Sequence, residues 1–148
     1  MAVQVALRLE VANRPGELVK VLRPIAQAGV NLHAVAGVAG SGASRESGES
    51  GASAGTPTNV IELLPSQVAA AADALQKAGI QSQQVEVVVT WLPNRPGTLL
   101  KACEALATAG INIEGVYVVS TDPSQGVQMT FECREAQRAD QVLAGVRY

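Results

Sequence analysis

Two stretches of the chain carry strand-like patterns of apolar residues, and each precedes a helix-like pattern. Apolar residues occupy every second position over residues 3–11, which is typical of a strand with one buried face. Residues 85–92 are more continuously apolar, as in a strand covered on both faces. Helical periodicity follows over about residues 17–28 and 98–109. The sequence therefore predicts two successive strand–turn–helix segments.

The two predicted helices have matching stripes of apolar residues. The residues expected to face inward are Leu18, Leu22, Ile25, Leu99, Cys103 and Leu106. Gly29 and Gly110 stand where a glycine commonly ends a helix. Pro24 falls inside the first helix, and Ala105 takes the equivalent place in the second. A proline there removes one backbone hydrogen bond, so we expect a bend in the first helix.

Further elements complete each segment. Strands are predicted at 30–38 and 59–64, and at 111–120 and 127–133. Helices are predicted at 66–78, with Ser66 as N-cap, and at 135–144. A last strand is expected at 80–84, whereas three residues after Gly145 leave the corresponding strand of the second segment stunted or absent. The order is β-α-β-β-α-β twice. The predicted fold class is α+β, two ferredoxin-like units in tandem, each with an antiparallel sheet and helices on one face.

The chain contains two copies of one unit. Asn13-Arg14-Pro15-Gly16 recurs as Asn94-Arg95-Pro96-Gly97, and further identical residues follow in the same register, with no insertion or deletion, as far as Val35 and Val116. We predict a first domain at 1–84, with a Gly/Ser-rich excursion at 40–57, and a second at 85–148. The excursion is expected to be mobile, with a partner-binding loop as the alternative. No glycine or proline lies between Ile80 and Leu92, so one strand should lead directly into the next.

Composition excludes several classes of protein. The net charge is −2 and aromatic residues make up 3% of the chain, which does not suit a nucleic-acid partner. No long apolar segment or secretion signal is present, so we predict a cytoplasmic protein without membrane contact. The two cysteines are expected to be reduced core residues. With one histidine and no nucleophile–base set, we expect no metal, no cofactor and no enzymatic activity. Glu62 and Glu132 are expected to face solvent.

The paired N-R-P-G turns, each followed by a helix and then Gly-Val-Asn or Gly-Ile-Asn, resemble the ACT domain, a regulatory module of amino-acid metabolism. Two copies in a short chain resemble stand-alone tandem ACT-domain proteins. The resemblance implies that a small metabolite, usually an amino acid, binds where ACT units pair, and that asparagines of the turn and of the second strand contact it. A histidine two residues before the turn also belongs to the serine-binding pattern, but Val11 and Leu92 stand there in this chain.

The chemistry of the turns agrees with that implication. Free N–H groups at a helix start suit a carboxylate, glycine permits close approach, and asparagine both donates and accepts. The candidate ligand-binding residues are Asn13, Arg14, Gly16, Asn31, Asn94, Arg95, Gly97 and Asn112. Asparagine and glycine are also ordinary turn formers, and His33 is interpreted as a strand residue.

Two functions follow from these patterns. The first is a sensor of a small amino acid or similar metabolite, which forms a homodimer and signals to a separate protein partner. The alternative is a structural or protein-interaction module that binds no ligand and assembles through sheet edges or helices.

Overall fold

A computed structural model describes residues 3–39 and 57–148. Apart from Pro57, the predicted Gly/Ser-rich excursion lies outside the described residues. The chain divides into two compact units, Leu7–Gln84 and a second made of Met1–Ala6 together with Val85–Tyr148. The first residues of β1 therefore group with the second copy of the repeat. The domain boundary after residue 84 stays a prediction.

The first unit follows the predicted order of elements. It contains most of β1 (Val3–Ala12), α1 (Glu17–Gln27), β2 (Leu32–Ala39), β3 (Thr58–Pro65) and α2 (Val68–Lys77). The strands pair in the order β2-β3-β1, and both pairings are antiparallel. Strand and helix residues share one core, which includes Leu7, Val21, Ile25, Leu63 and Leu75.

The second unit repeats this architecture. It contains β4 (Gln83–Leu92), α3 (Thr98–Thr108), β5 (Gly115–Asp122), β6 (Gly126–Glu132) and α4 (Ala136–Ala144). The strands pair in the order β4-β6-β5, again antiparallel. Its core includes Val88, Leu106, Phe131, Ala139 and Leu143, with Val3 packed against it. The predicted α+β, ferredoxin-like fold class is confirmed.

Some predicted boundaries are wrong. No separate strand occupies 80–84, because β4 begins at Gln83 and continues unbroken to Leu92. The strand predicted from residue 111 begins only at Gly115. Ser66 does not cap α2, which begins after Gln67. Its Oγ atom instead accepts a hydrogen bond from the Asn31 N–H, at 3.2 Å.

The ends of the two units bear out two other expectations. Gly29 and Gly110 follow α1 and α3 with φ near 70° (72° and 71°). Among the described residues that follow α4, none is in a strand.

The predicted inward faces of α1 and α3 are only partly right. In α1 the buried residues are Val21 and Ile25, whereas Leu18 is 39% exposed. In α3 they include Ala102 and Leu106, whereas Leu99 is 43% exposed. Ile25 and Leu106 are buried as predicted. Both helices present a first-turn leucine to the surface, because the other buried positions are Val21 in α1 and Thr98 and Ala102 in α3.

Glu62 and Glu132 do not face solvent, contrary to prediction, and are 7% and 3% exposed. Glu62 accepts a hydrogen bond from the Arg8 guanidinium of the neighbouring strand, at 3.5 Å, which compensates in part for the loss of water. At Gly115 a Cβ would lie 3.2 Å from Glu132 Oε2. A glycine at this position leaves room for that carboxylate.

Candidate functional site

The two N-R-P-G turns have the same backbone geometry. Each joins the end of a strand, β1 or β4, to the start of a helix, α1 or α3. Gly16 and Gly97 both have φ 86° and ψ −8° and immediately precede the helix. This left-handed conformation strongly favours glycine. A Cβ at either position would meet no atom within 4 Å, so space is open beside both glycines.

Both helix starts leave backbone donors unused. The Glu17 N–H donates to the Arg14 carbonyl at 3.4 Å, and the Thr98 N–H donates to the Arg95 carbonyl at 3.3 Å. The next two N–H groups of each helix make no backbone hydrogen bond within the described residues; they belong to Leu18, Val19, Leu99 and Leu100. Such donors, aligned with the helix dipole, attract a carboxylate.

The side chains of the first turn bond to one another. The Asn59 amide donates to Asn13 Oδ1 at 3.2 Å. The Glu17 carboxylate accepts from Arg14 at 3.1 Å and from Lys20 at 3.0 Å. The hydrogen bond from Lys20, supported by the charges of Lys20 and Arg14, lowers the pKa of Glu17. The predicted residues Asn13 and Arg14 are therefore already engaged within the chain.

The second turn lines an open groove of about 690 Å³. Asn94 and Arg95 form one wall, and the connection between β5 and β6, which includes Asp122 and Ser124, forms the other. Gly126 permits the close approach of the two walls, because a Cβ there would collide with the Leu92 carbonyl oxygen. Asn94 and Arg95 make no side-chain hydrogen bond or ion pair within the described residues.

Asp122 organises the far wall of this groove. One of its carboxylate oxygens accepts from the Ser124 N–H at 2.7 Å, the Ser124 hydroxyl at 2.5 Å and the Gln125 N–H at 3.0 Å. These donors, the Ser124 hydroxyl first, lower the pKa of Asp122. The carboxylate is thus engaged in shaping its own turn.

Asn31 and Asn112 lie away from the turns. The Asn31 backbone exchanges hydrogen bonds with Ser66, whose N–H donates to the Asn31 carbonyl at 2.8 Å. Asn112 lines a separate groove of about 350 Å³, beside the ion pair between Glu114 and Arg134, at 2.6 Å. Asn31 and Asn112 therefore lie in different surroundings, the first bonded to Ser66 and the second on the surface of a groove.

Within one unit the predicted site residues are not brought together. Ala12, next to Asn13, pairs with Thr58, whereas Leu32, next to Asn31, pairs with Pro65. Seven positions of β3 separate these partners, which is about 23 Å. In the first unit, Asn13 and Asn31 therefore lie too far apart for one molecule the size of an amino acid to reach both.

Sequence reasoning missed three residues that shape the turns: Glu17, Asn59 and Asp122. An acid three residues after Arg14 is a recognisable signal of an ion pair on a helix start. The contact between Asn59 and Asn13 joins residues 46 positions apart, and only the strand register reveals it.

The described parts of the chain contain no group of three or more His, Cys, Asp or Glu residues that could hold a metal ion. No helix in the described ranges combines the length and apolar content needed to span a bilayer.

The family model of the ACT domain matches residues 86–144. This part of the chain is similar to the ACT domain. The first copy has the same fold and the same turn, so the resemblance to tandem ACT-domain proteins is confirmed. None of the curated proteins matches the chain by sequence.

Several solved structures share the fold of both ACT units. Protein BT0572 from Bacteroides thetaiotaomicron is similar with a TM-score of 0.76 and 21% identity, over 97% of this chain and 88% of that one. The ligand-free regulatory subunit of aspartate kinase from Thermus thermophilus has a TM-score of 0.59 and 15% identity, over 100% and 99%. The regulatory subunit from Thermus flavus has 0.55 and 16%, over 97% and 95%.

Proposed function

We propose that the chain is a regulatory protein without catalytic activity that binds a small amino acid or similar metabolite. The ligand is held near the N-R-P-G turns at a seam, by which we mean the surface where two ACT units pair. Its contacts come from the eight residues predicted above. The ACT-domain match and the likeness to regulatory subunits of aspartate kinase support this class of function.

The observation that carries the proposal is the duplicated turn. Both copies combine a left-handed glycine, open space beside it and unused N–H groups at a helix start. Backbone donors bind the carboxylate common to all amino acids, and asparagine oxygens accept from the ammonium group.

The spacing of the asparagines supports a paired arrangement. Since Asn13 and Asn31 lie about 23 Å apart along one unit, a site that uses both takes the second asparagine from another copy of the chain. Strands β2 and β5 end the order of strands in their units and carry exposed valines, including Val35 and Val116. We therefore propose a homodimer in which the ligand favours one arrangement and a separate protein partner detects it.

Titration calorimetry of the purified chain with each of the twenty amino acids tests this function. We expect at least one to bind with measurable heat. At a concentration one hundred times its Kd, that amino acid should stabilise the folded chain by about 2.7 kcal/mol and raise the unfolding temperature. If no amino acid gives heat or a thermal shift, the proposed function is wrong.

An interaction module without ligand is the second candidate. Exposed apolar residues favour it, most clearly Val38, Leu100 and Val118, which are 69%, 60% and 53% exposed. The combined variant Asn13→Ala and Asn94→Ala separates the two functions. A sensor loses its heat of binding, whereas a scaffold has no such heat to lose and keeps the same mass in light scattering.

A further inference from the structure

We infer that a second copy of the chain docks through unlike helices, with the solvent face of α1 in one copy lying antiparallel against the solvent face of α3 in the other. The inference rests on the homodimer of the proposed function and names the faces that meet; binding of a ligand plays no part in it. In a two-fold dimer the contact occurs twice, because each chain carries both faces.

Exposed apolar side chains are unevenly distributed over the elements of the two units. In the described ranges, the large apolar residues that are exposed all belong to α1, β2, α3 or β5, and none belongs to α2 or α4. They are Leu18, Val19, Val35, Val38, Leu99, Leu100, Val116 and Val118. Six of these eight residues form three pairs of equivalent positions, 81 residues apart. The same elements of both units are therefore left uncovered, which indicates a surface for another protein.

The solvent face of α1 is a stripe of three residues. Val19, Arg23 and Ala26 are all exposed, and Val19 is 50% exposed. Their spacing of four and three residues places them in one line along the helix, away from the buried Val21 and Ile25. An apolar residue, a charged residue and a small residue thus follow one another on this face.

The solvent face of α3 repeats the stripe with the charge reversed. Leu100, Glu104 and Ala107 are exposed at the equivalent positions, and Leu100 is 60% exposed. A glutamate therefore stands where the stripe of α1 has Arg23. Neither of these two charged residues makes an ion pair within the part of the chain that the structure describes. Both charges are available to another molecule.

The central charges decide which faces fit each other. When two copies of one helix meet antiparallel around a two-fold axis, equivalent residues near the middle of the helix come together. Two α1 helices would bring two arginines together and two α3 helices would bring two glutamates together, and like charges inside an interface oppose association. One α1 and one α3 instead bring Arg23 of one copy against the glutamate at position 104 of the other. Charge complementarity therefore favours the pairing of unlike helices.

The sizes of the flanking residues agree with an antiparallel contact. With the two charges opposite each other, Val19 lies opposite Ala107, and Leu100 lies opposite Ala26. Because a helix rises 1.5 Å per residue, the axial offset within each of these pairs is about 1.5 Å. A large side chain thus meets a small one on both sides of the central pair. A parallel contact would put the valine against the leucine and leave two alanines facing each other.

Reversal of the two charges tests the inference on the full chain, with sedimentation equilibrium as the measure of the dimer Kd. Arg23→Glu alone puts two glutamates together, and Glu104→Arg alone puts two arginines together, so each should raise the dimer Kd about tenfold. The double variant restores an opposite pair and should return the Kd to within about twofold of wild type. Glu10→Arg, at an exposed position of β1, carries the same change of charge as Glu104→Arg and should leave the Kd within about twofold.

Pairing of like helices predicts a different result, because each single reversal would then exchange one like-charge pair for another and leave the Kd unchanged. An unchanged Kd in either single variant, no recovery in the double variant, or a wild-type chain that stays monomeric up to about 1 mM would overturn the inference. All the substituted residues are exposed, and circular dichroism checks that each variant keeps its fold.

Disulfide cross-linking locates the two faces without changing a charge. Val19→Cys combined with Ala107→Cys should give covalent dimers after oxidation with copper phenanthroline. Val19→Cys combined with Ala26→Cys would cross-link only if two α1 helices met, and it should remain monomeric in denaturing electrophoresis. The wild-type chain gives the background from Cys103 and Cys133. Covalent dimers of the second variant, or of neither variant, would overturn the inference.

This inference and the proposed function fail separately. If an amino acid binds in calorimetry but the charge reversals leave the dimer Kd unchanged, the sensor stands and the pairing of α1 with α3 is wrong. If the reversals act as expected and no amino acid binds, the pairing stands and the sensor is wrong.

Discussion

The Asp122 carboxylate shows how much one side chain can contribute to the shape of a site. It accepts three hydrogen bonds from Ser124 and Gln125 and so defines the wall opposite Asn94 and Arg95. Its lowered pKa means that the ionised form is favoured in the folded chain. The charge of Asp122 therefore contributes to stability at neutral pH.

We expect Asp122→Asn to lower the unfolding temperature at pH 7. The folded pKa of Asp122 is lower than its unfolded value. The stabilising contribution is therefore complete above the unfolded pKa, and it is lost as the pH falls through the folded one. The difference between variant and wild type, measured by thermal unfolding from pH 7 downward, should shrink below about pH 4. Ser124→Ala, which removes one donor, should reproduce part of the effect. A variant as stable as wild type at pH 7 would contradict this account.

For individual residues of the candidate site, the sequence predicted their positions in the fold but not their contacts. The repeat identifies Asn13, Arg14, Asn94 and Arg95 as equivalent pairs, and the structure places each pair at equivalent turns. The replacement of Glu17 by Thr98 is also visible in the sequence. The effect of this replacement depends on the ion pairs that Glu17 forms with Arg14 and Lys20, and the sequence alone does not give those distances.

At the scale of elements, the strand–turn–helix order was predictable because its pattern occurs twice in the sequence. The buried faces of the helices were less predictable. In α1 two stripes satisfy a period of 3.6 residues, and both contain Ile25; burial falls on the one with Val21 and leaves Leu18 in part exposed. The choice between them depends on the direction of the sheet, which is a tertiary property.

The single proline inside α1 provides a matched test at this scale. The helix runs through Pro24, which cannot donate to the Lys20 carbonyl, whereas Ala105 is the equivalent residue of α3. We expect Pro24→Ala to stabilise the chain, because a backbone hydrogen bond is restored. Ala105→Pro should lower the free energy of unfolding by about 3 kcal/mol. Urea denaturation measures both changes. A Pro24→Ala variant less stable than wild type would contradict this expectation, because the packing of the proline ring would then contribute more than the restored hydrogen bond.

At the scale of the whole molecule, the repeat in the sequence and the compact units do not have the same boundaries. The start of β1 groups with the second unit, and Val3 packs against its core. Periodicity predicted a strand at residues 3–11 but could not predict which core it joins, because a strand pattern does not specify its partner.

This grouping makes the stability of the second unit sensitive to Val3. We expect Val3→Ala to lower the free energy of unfolding by about 1 kcal/mol, since part of the side chain is buried. Hydrogen exchange should show the loss of protection at β6, around Phe131. Val38→Ala, at a position 69% exposed, is the matched control and should change stability by less than about 0.5 kcal/mol. Equal effects of the two substitutions would contradict the packing of Val3.

The same arrangement has a consequence for biosynthesis. Val3 leaves the ribosome well before Val85–Tyr148, the rest of the unit to which it belongs. The core contacts of Val3 can therefore form only after translation has passed Phe131.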